Sequence, residues 1–573
     1  MKNKILTIGF VASLLALTSC SDFLTEDAKG RLTPESFPQN RSELDMSVYA
    51  LYAQVQGFQC NSNPMIMQCQ GDDVTSTTGS NKAAYLSADA FETPTDSKGL
   101  KDGWNWLYKI VMASNQIINE AEKPQVSEKE KKIALGQAYY WRAFAYFSLV
   151  RLFGPLPMNL HNIPDNNTTK LTSVENVYKQ IISDLTSAET CNLPSQYTAE
   201  PQAIDKQNVY VSEQAVKATI AAVYMAMAGY PLNKTEYYAK AAAKAKEVID
   251  GVNAGKYNQK LLSDWSQVYS YGNNHHPETL LGIDYNDTPG GWNSYDSQLS
   301  SCQQLGSLQG WGDFLPERRY WAEYPAGPRK DAIFAKQLLL NDRKTLVDWW
   351  ATKDGEPYKV TTGTDGKVVS NSVIAEYRPM YVEFTINDGP SKAPYDYTKP
   401  FWGGMCINKR HQLIRYSEVL LWYAESVARS GGALTAAKAA LKQVRQRAYS
   451  DKMKISEIDN MNAEQLAEAA YTEHGYEVAG YVLAMVTRRA DQFRMNRLKE
   501  HYDYRHGEQK EILVPKGTLT HSQDKAGHPF TYKLKEDLIL KENMPVTVEW
   551  RNLSSIYHDY PPTEVEKNGN LKR

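Results

Sequence analysis

Apolar residues recur at helical spacing along most of this chain, with one long interruption. Leu44, Val48, Leu51 and Val55 are four, three and four positions apart, which places them on one face and predicts a helix over 41–55. WNWLYKIVMASNQIINE predicts a second helix over 104–120, and EKEKKIALGQAYYWRAFAYFSLVRLF a third over 128–153. In the third, Ala134, Ala138, Trp141, Ala145, Leu149 and Leu152 form one stripe, while Tyr139, Tyr140, Phe144 and Phe147 occupy the other faces. A helix apolar nearly all round is buried on several sides. Trp141 is therefore a core residue, and Arg142 needs a partner, for which Glu425 is one candidate. Gly154-Pro155 ends the helix. Two helical hairpins follow: 211–228 with 235–250 across GYPLN, and 413–429 with 434–448 across SGGA. Each has the size of a tetratricopeptide-type unit without that repeat's sequence signature. Trp422, on the stripe of the second hairpin, is read as core.

Between the hairpins, residues 260–400 lose the helical period and are rich in Gly, Pro, Asn, Asp, Trp and Tyr. Long irregular stretches in a compact protein are usually functional loops, and the tryptophans favour order. Tyr358 to Val369, around Asp365-Gly366, predicts a small β-hairpin. The fold class is mainly α: tetratricopeptide-like helical hairpins form a scaffold with long irregular loops and a few short β-hairpins.

The first twenty residues follow another pattern. Lys2 and Lys4 precede an apolar run from Ile5 to Leu17. Those thirteen residues make roughly 20 Å of helix, short of the roughly 30 Å hydrocarbon core, so they read as a signal-peptide h-region over 1–19. LTSC resembles a bacterial lipobox, with the small Thr18 and Ser19 before Cys20. Lipidation at Cys20 would add three acyl chains, and each buried CH₂ contributes about 0.8 kcal/mol, which makes a durable anchor. Residues 20–40 are then a polar tether.

Charge and cysteine usage narrow the function. With 64 basic and 66 acidic residues and no basic stripe, nucleic acid is excluded as a partner. Six cysteines without a CxxC pair exclude a structural zinc site and a disulfide scaffold. A Cys60–Cys69 pairing stays open, and at least one other cysteine is a small buried hydrophobe. Neither GxSxG nor HExxH occurs. Asp72-Asp73 and Glu473 invite a two-carboxylate hydrolase reading, but ordinary preferences make them caps or solvated turns. His501 and His506 are five apart and His275-His276 adjacent, with no third ligand, so they read as exposed histidines and no metal or other cofactor is expected.

Four stretches in order then match one family. WRAFAYFSLVRLFGPLP (141–157) resembles the signature helix of the SusD/RagB family of outer-membrane nutrient-binding lipoproteins, and SVENVYKQIISDLTSAETCNLP (173–194) resembles the segment that follows it. IRYSEVLLWYAESVARSGG with AALKQVRQRA resembles the family's C-terminal hairpin, and YPPTEVEKNGNLKR its closing turn. YEVAGYVLAMVTRRADQFRM departs from the family's Glu-Gly-x-Arg helix and Asp-Leu-x-Arg stretch. The resemblance implies a single unit over 41–573: an N-terminal helical part (41–258), a loop-rich ligand-binding insertion (259–400) and a C-terminal helical part (401–573). It also implies no enzymatic activity, glycan capture at the cell surface on the outer membrane, and delivery to a SusC-type TonB-dependent transporter. A surface protein of the same fold that binds peptides or glycopeptides is the alternative.

A sugar ring offers an apolar face and a rim of hydroxyls, so its site needs aromatic platforms beside polar side chains. GGWNSYD gathers Trp292, Asn293, Tyr295 and Asp296; LQGWGDF flanks Trp311 with glycines and with Gln309 and Asp313; Trp321 follows. Asp73 in the GDD turn and Trp104 in WNW lie where the family builds its site, and the resemblance adds them as ligand-binding candidates. The lipobox carries its own test. Cys20→Ala should move the protein out of the membrane fraction or leave its signal uncleaved, and should abolish acyl labelling in cells; unchanged labelling would refute the assignment.

Overall fold

A computed structural model describes residues 37–572, except 61–65, 67–69, 77–82, 163–167, 271, 286–313, 336, 340–344, 354–355, 358–360, 363–367, 370–378, 383–408, 507–510, 525–527, 542–549 and 551–555. Among the described residues the frame consists of α1 (Arg41–Cys60), α2 (Lys98–Glu120), α3 (Glu128–Phe153), α4 (Val174–Thr190), α5 (Glu213–Ala228), α6 (Tyr237–Asn253), α7 (Tyr416–Arg429), α8 (Leu434–Ala448) and α9 (Ala463–Glu477). From α1 to α7 each packs on the next, and α7 also packs on α8 and α9. The α6–α7 contact carries this succession across the whole intervening insertion.

Local chemistry sets the boundaries of α3. The Ser127 hydroxyl accepts from the Glu130 amide (3.3 Å), and the Glu130 carboxylate accepts from the Ser127 amide (2.9 Å), a reciprocal cap. Its far end closes on Gly154 at φ 72°. From Tyr140 to Phe153 every residue is buried, as its all-round apolar pattern requires. The other helices agree with the sequence pattern to within a turn or two, α2 beginning six residues earlier than its apolar spacing signalled. Residues 411–415, which the pattern placed partly in a helix, form a strand.

Four short strands position the insertion: β1 (Val74–Ser76), β2 (Thr279–Ile283), β3 (Phe314–Pro316) and β4 (His411–Arg415). β2 pairs antiparallel with β4, with His411 opposite Ile283 and Arg415 opposite Thr279. The insertion therefore departs and returns at one place. β1 pairs antiparallel with β3, Thr75 opposite Leu315. Residues 361–362 pair with 368–369, the two arms of the predicted hairpin. The C-terminal part, read as helical, also contains the antiparallel pairs Glu511–Val514 with Leu538–Lys541 and Leu519–Gln523 with Pro529–Lys533. One hydrophobic cluster runs from Leu44 to Leu571.

Trp141 and Trp422 are buried, and so is Cys191, a free thiol. The Cys60 side chain, Cys69 and Cys20 lie outside the described residues. Arg142 does not pair with Glu425. Its Nε and Nη2 grip Asp184 at 2.8 and 2.6 Å, and its Nη1 donates to Asn115 at 2.9 Å. Asp184 lies on α4, directly against α3, whereas Glu425 on α7 is taken by Arg494 and Arg429. His276 is buried rather than exposed, its Nε2 2.9 Å from the Val268 carbonyl.

Removing one partner of a buried pair strands the other charge. Asp184→Ala should lower unfolding stability by about 3–5 kcal/mol, read as a lower urea midpoint. A loss under about 1 kcal/mol, the range of an exposed pair, would show that the pair does not hold α3 to α4.

Candidate functional site

The Gly71-Asp72-Asp73 turn leads straight into β1, and β1 is paired to β3, where the chain emerges from residues 286–313. Trp292, Asn293, Tyr295 and Trp311 belong to that stretch and lie outside the described residues.

Asp72 accepts from Arg488 Nε (2.6 Å) and Nη2 (2.9 Å), from Gln492 (2.7 Å) and faces His501 Nδ1 at 2.8 Å. Burial works to raise its carboxyl, but Arg488 and His501 outweigh that and hold it well below the usual carboxylate range. Asp73 is 3% exposed. Its carboxylate accepts from the Gly480 amide at 2.6 Å, and its carbonyl accepts from the Tyr381 hydroxyl at 2.7 Å. Burial, with the charge of Asp72 beside it, pushes Asp73 up to about 6. Gly480 sits at φ 73°, and a Cβ there would come within 2.5 Å of the Tyr381 ring. That close approach and the left-handed backbone both require glycine. Neither aspartate is a cap or a solvated turn. Glu473 is likewise buried, bound by Arg329 (2.6 Å), Arg445 (2.7 Å) and the Tyr449 hydroxyl (2.9 Å). A solvated turn does not describe any of the three, because the partners that bury them are remote in sequence: Arg488 for Asp72, Gly480 and Tyr381 for Asp73, Arg329 and Arg445 for Glu473.

The turn meets a short helix, Arg318–Glu323. The Glu317 amide donates to the Asp73 carbonyl at 3.2 Å, and the Trp321 amide, one turn on, donates to the Glu317 carbonyl at 3.0 Å. Asp73 and Trp321 therefore belong to one neighbourhood. Trp321 is half-buried, edge-on to Trp349 (ring centroids 4.9 Å), with the Lys330 ammonium 4.6 Å over its ring. Trp349 is fully buried and abuts the half-buried Trp350, whose Nε1 donates to Thr520 at 3.3 Å. Beside them Tyr504 is 37% exposed, under the Arg319 guanidinium and donating to Glu323.

Trp104 is not part of this neighbourhood. It is 3% exposed and packs on Phe153, Tyr560 and Tyr108 in the main core. The apolar face of α2 draws it inward. Trp349, Trp350 and Tyr504 were missed by sequence reasoning. The adjacent tryptophans of DWW (348–350) were an available signal. Among the described residues no group of three or more His, Cys, Asp or Glu is arranged to hold a metal, and no helix is long and apolar enough to cross a membrane.

Comparison with known proteins decides the relationship. A family model described as SusD family matches residues 277–573, more than half of the chain. The chain belongs to the SusD family. A second model, described as "Starch-binding associating with outer membrane", matches residues 22–225. SusD-like protein P2 of Formosa agariphila is 24% identical over 456 residues, 77% of this chain and 81% of that protein. The solved SusD homologue of Bacteroides thetaiotaomicron superposes with a TM-score of 0.65 at 20% identity, covering 83% of this chain and 90% of that one. Surface glycan-binding protein A of Bacteroides uniformis superposes with a TM-score of 0.60 at 17% identity, over 93% and 98%. These superpositions establish the SusD fold for the described scaffold.

The aspartate pair has a pH signature. With Asp73 at about 6 against an ordinary 3.8, the unfolded chain releases this proton first. Its contribution to stability is thus intact below about pH 4 and lost as pH rises through about 6. Asp73→Asn, which keeps an acceptor for Gly480, should gain stability relative to the parent between pH 4 and pH 7, on the order of 1–3 kcal/mol. Urea midpoints at the two pH values measure it. An unchanged difference would mean that Asp73 titrates normally.

Proposed function

We propose that this SusD-family protein binds polysaccharide or oligosaccharide without cleaving it, at the outer face of the outer membrane, and passes it to a SusC-type TonB-dependent transporter. The match of residues 22–225 to a family described as starch-binding and associating with the outer membrane carries this reading. The glycan-binding name of the Bacteroides uniformis neighbour supports it. So does the local chemistry. Trp321 and Trp350 are half-buried rings, with the Lys330 ammonium over Trp321 as a polar group beside it.

Non-catalytic capture also fits the carboxylates. A glycosidase needs two of them flanking the scissile bond, one able to hand over a proton. Asp72 and Glu473 are instead buried against arginine. Anchoring through Cys20 would hold the protein beside its transporter at high effective concentration. Trp292, Asn293, Tyr295 and Trp311 remain proposed ligand contacts, together with Trp321 and now Trp350; Asp73 serves as support for the base.

Affinity electrophoresis and calorimetry against a polysaccharide panel test the reading. At least one glycan should bind, and Trp311→Ala, Trp321→Ala or Trp350→Ala should each weaken it roughly ten- to thirtyfold, as truncation of an aromatic anchor does. No binding across the panel, with capture of peptides instead, would replace glycan by peptide as the ligand.

A further inference from the structure

The C-terminal strand pairs close on Trp321, Trp349 and Trp350 from two sides. Strand Glu511–Val514 packs against the short helix Arg318–Glu323, which bears Trp321. Strand Leu519–Gln523 lies beside Leu346–Asp348, the strand that runs straight into Trp349 and Trp350. Two hydrogen bonds fix the second contact. The His521 amide donates to the Asp348 carboxylate at 2.7 Å, and Trp350 Nε1 donates to the Thr520 hydroxyl at 3.3 Å.

Strand register decides what stands next to Trp350. Thr520 is opposite Tyr532, and Ser522 is opposite Phe530. Opposed residues share a face, so these four lie on one side of the hairpin and His521, Thr531 and Lys533 on the other. The bond from Trp350 to Thr520 marks the first side as the inward one. Burial agrees: Thr520 and Ser522 are 0% and 1% exposed, whereas Pro529, Thr531 and Lys533 are all exposed. Tyr532 and Phe530 are on the inward side and yet only half-buried. Their strand is the reason. Leu519–Gln523 has Leu346–Asp348 on one side and Pro529–Lys533 on the other, which leaves Pro529–Lys533 outermost of the three. The two rings stack on each other, with centroids 5.6 Å apart and planes 29° from parallel.

The aromatic groups therefore form one run. Trp321 meets Trp349 at 4.9 Å and Trp349 meets Trp350 at 5.5 Å. Trp350 then reaches Thr520, which stands opposite the Tyr532–Phe530 stack. The fully buried Trp349 is the spine; Trp321, Trp350, Tyr532 and Phe530 each keep part of their surface open. Contiguous apolar surface of this kind marks a binding site, where a single scattered ring does not. A row of part-open rings suits a ligand that repeats along its length, each unit offering an apolar C–H face. One sugar ring covers only one end of it.

We propose that Tyr532 and Phe530 extend the glycan site along the C-terminal hairpin, so that the protein selects a linear oligosaccharide several units long over a short one. This rests on the glycan reading above and adds to it a contribution from the C-terminal part of the chain.

The probes are the trisaccharide and the octasaccharide released from the panel polysaccharide that binds, with affinity read by calorimetry. The octasaccharide should bind the parent protein roughly tenfold more tightly or better. Tyr532→Leu and Phe530→Leu keep apolar volume and remove the flat ring. Each should weaken octasaccharide binding roughly tenfold and leave trisaccharide binding unchanged. Thr531→Ala, on the outward side of the same strand, should change neither. Equal affinity of the parent for the two lengths would overturn the proposal, and that comparison needs no variant. So would octasaccharide binding that survives both leucine variants, or a loss that falls on both lengths alike. Each of these outcomes leaves the glycan reading standing, whereas absence of binding across the whole panel removes both.

Discussion

The structure depends on one buried ionic network. Glu278 and Glu477 face Arg415 at 3.1 and 2.8 Å. Arg447 binds both glutamates, and Arg329 binds Glu477 at 2.8 Å and Glu473 at 2.6 Å. The indole of Trp265 donates to Glu477 at 3.1 Å. Each of these ions has left water, at a cost that only partnership offsets. Burial works to raise the Glu477 carboxyl, and Arg447, Arg415 and Arg329 together hold it well below the usual carboxylate range. The network joins residues just before β2, at the end of β4, on α8 and on α9. Its partners satisfy one another only when all of these are in place, so it specifies a geometry as well as a set of contacts.

The candidate site inherits that geometry. The chain leaves this network along β2, just after Glu278, and re-enters it at Arg415 at the end of β4, so the same ions pin both ends of the segment between them. The chain after α9 passes Gly480, which holds Asp73, and continues to Arg488, which holds Asp72. A site carried on long loops gains affinity when its base is already ordered, because less freedom is lost on binding. The half-buried rings of Trp321 and Trp350 stand on such a base. The buried aspartates near Trp321 are part of that base.

Legibility in the sequence followed the range of the interaction. The position of α3 and its stop at Gly154 were readable because every contributing residue lies within a few positions. The core roles of Trp141 and Trp422 followed from the stripe each occupies. Asp72 and Arg488 are 416 residues apart, and nothing local distinguishes that carboxylate from one in a solvated turn. Arg142 plainly needed a partner, but the choice of Asp184 over Glu425 is made by which helix lies against α3. Trp104 went the other way: a tryptophan in an inviting WNW motif is turned inward by the apolar face of α2. In DWW nothing local separates the buried ring of Trp349 from the half-buried ring of Trp350.

The sequence by itself determined the class of fold, the approximate positions of the main helices and the family. These rest on periodicity, helix stops and short motifs, which are local, and on their order along the chain. Tertiary structure alone decided which charges pair, that Asp72, Asp73 and Glu473 are buried, and that residues 279–283 and 411–415 meet as one strand pair. Those outcomes depend on electrostatics and desolvation between residues hundreds of positions apart, and a charged side chain has the same letter whether it meets water or an arginine.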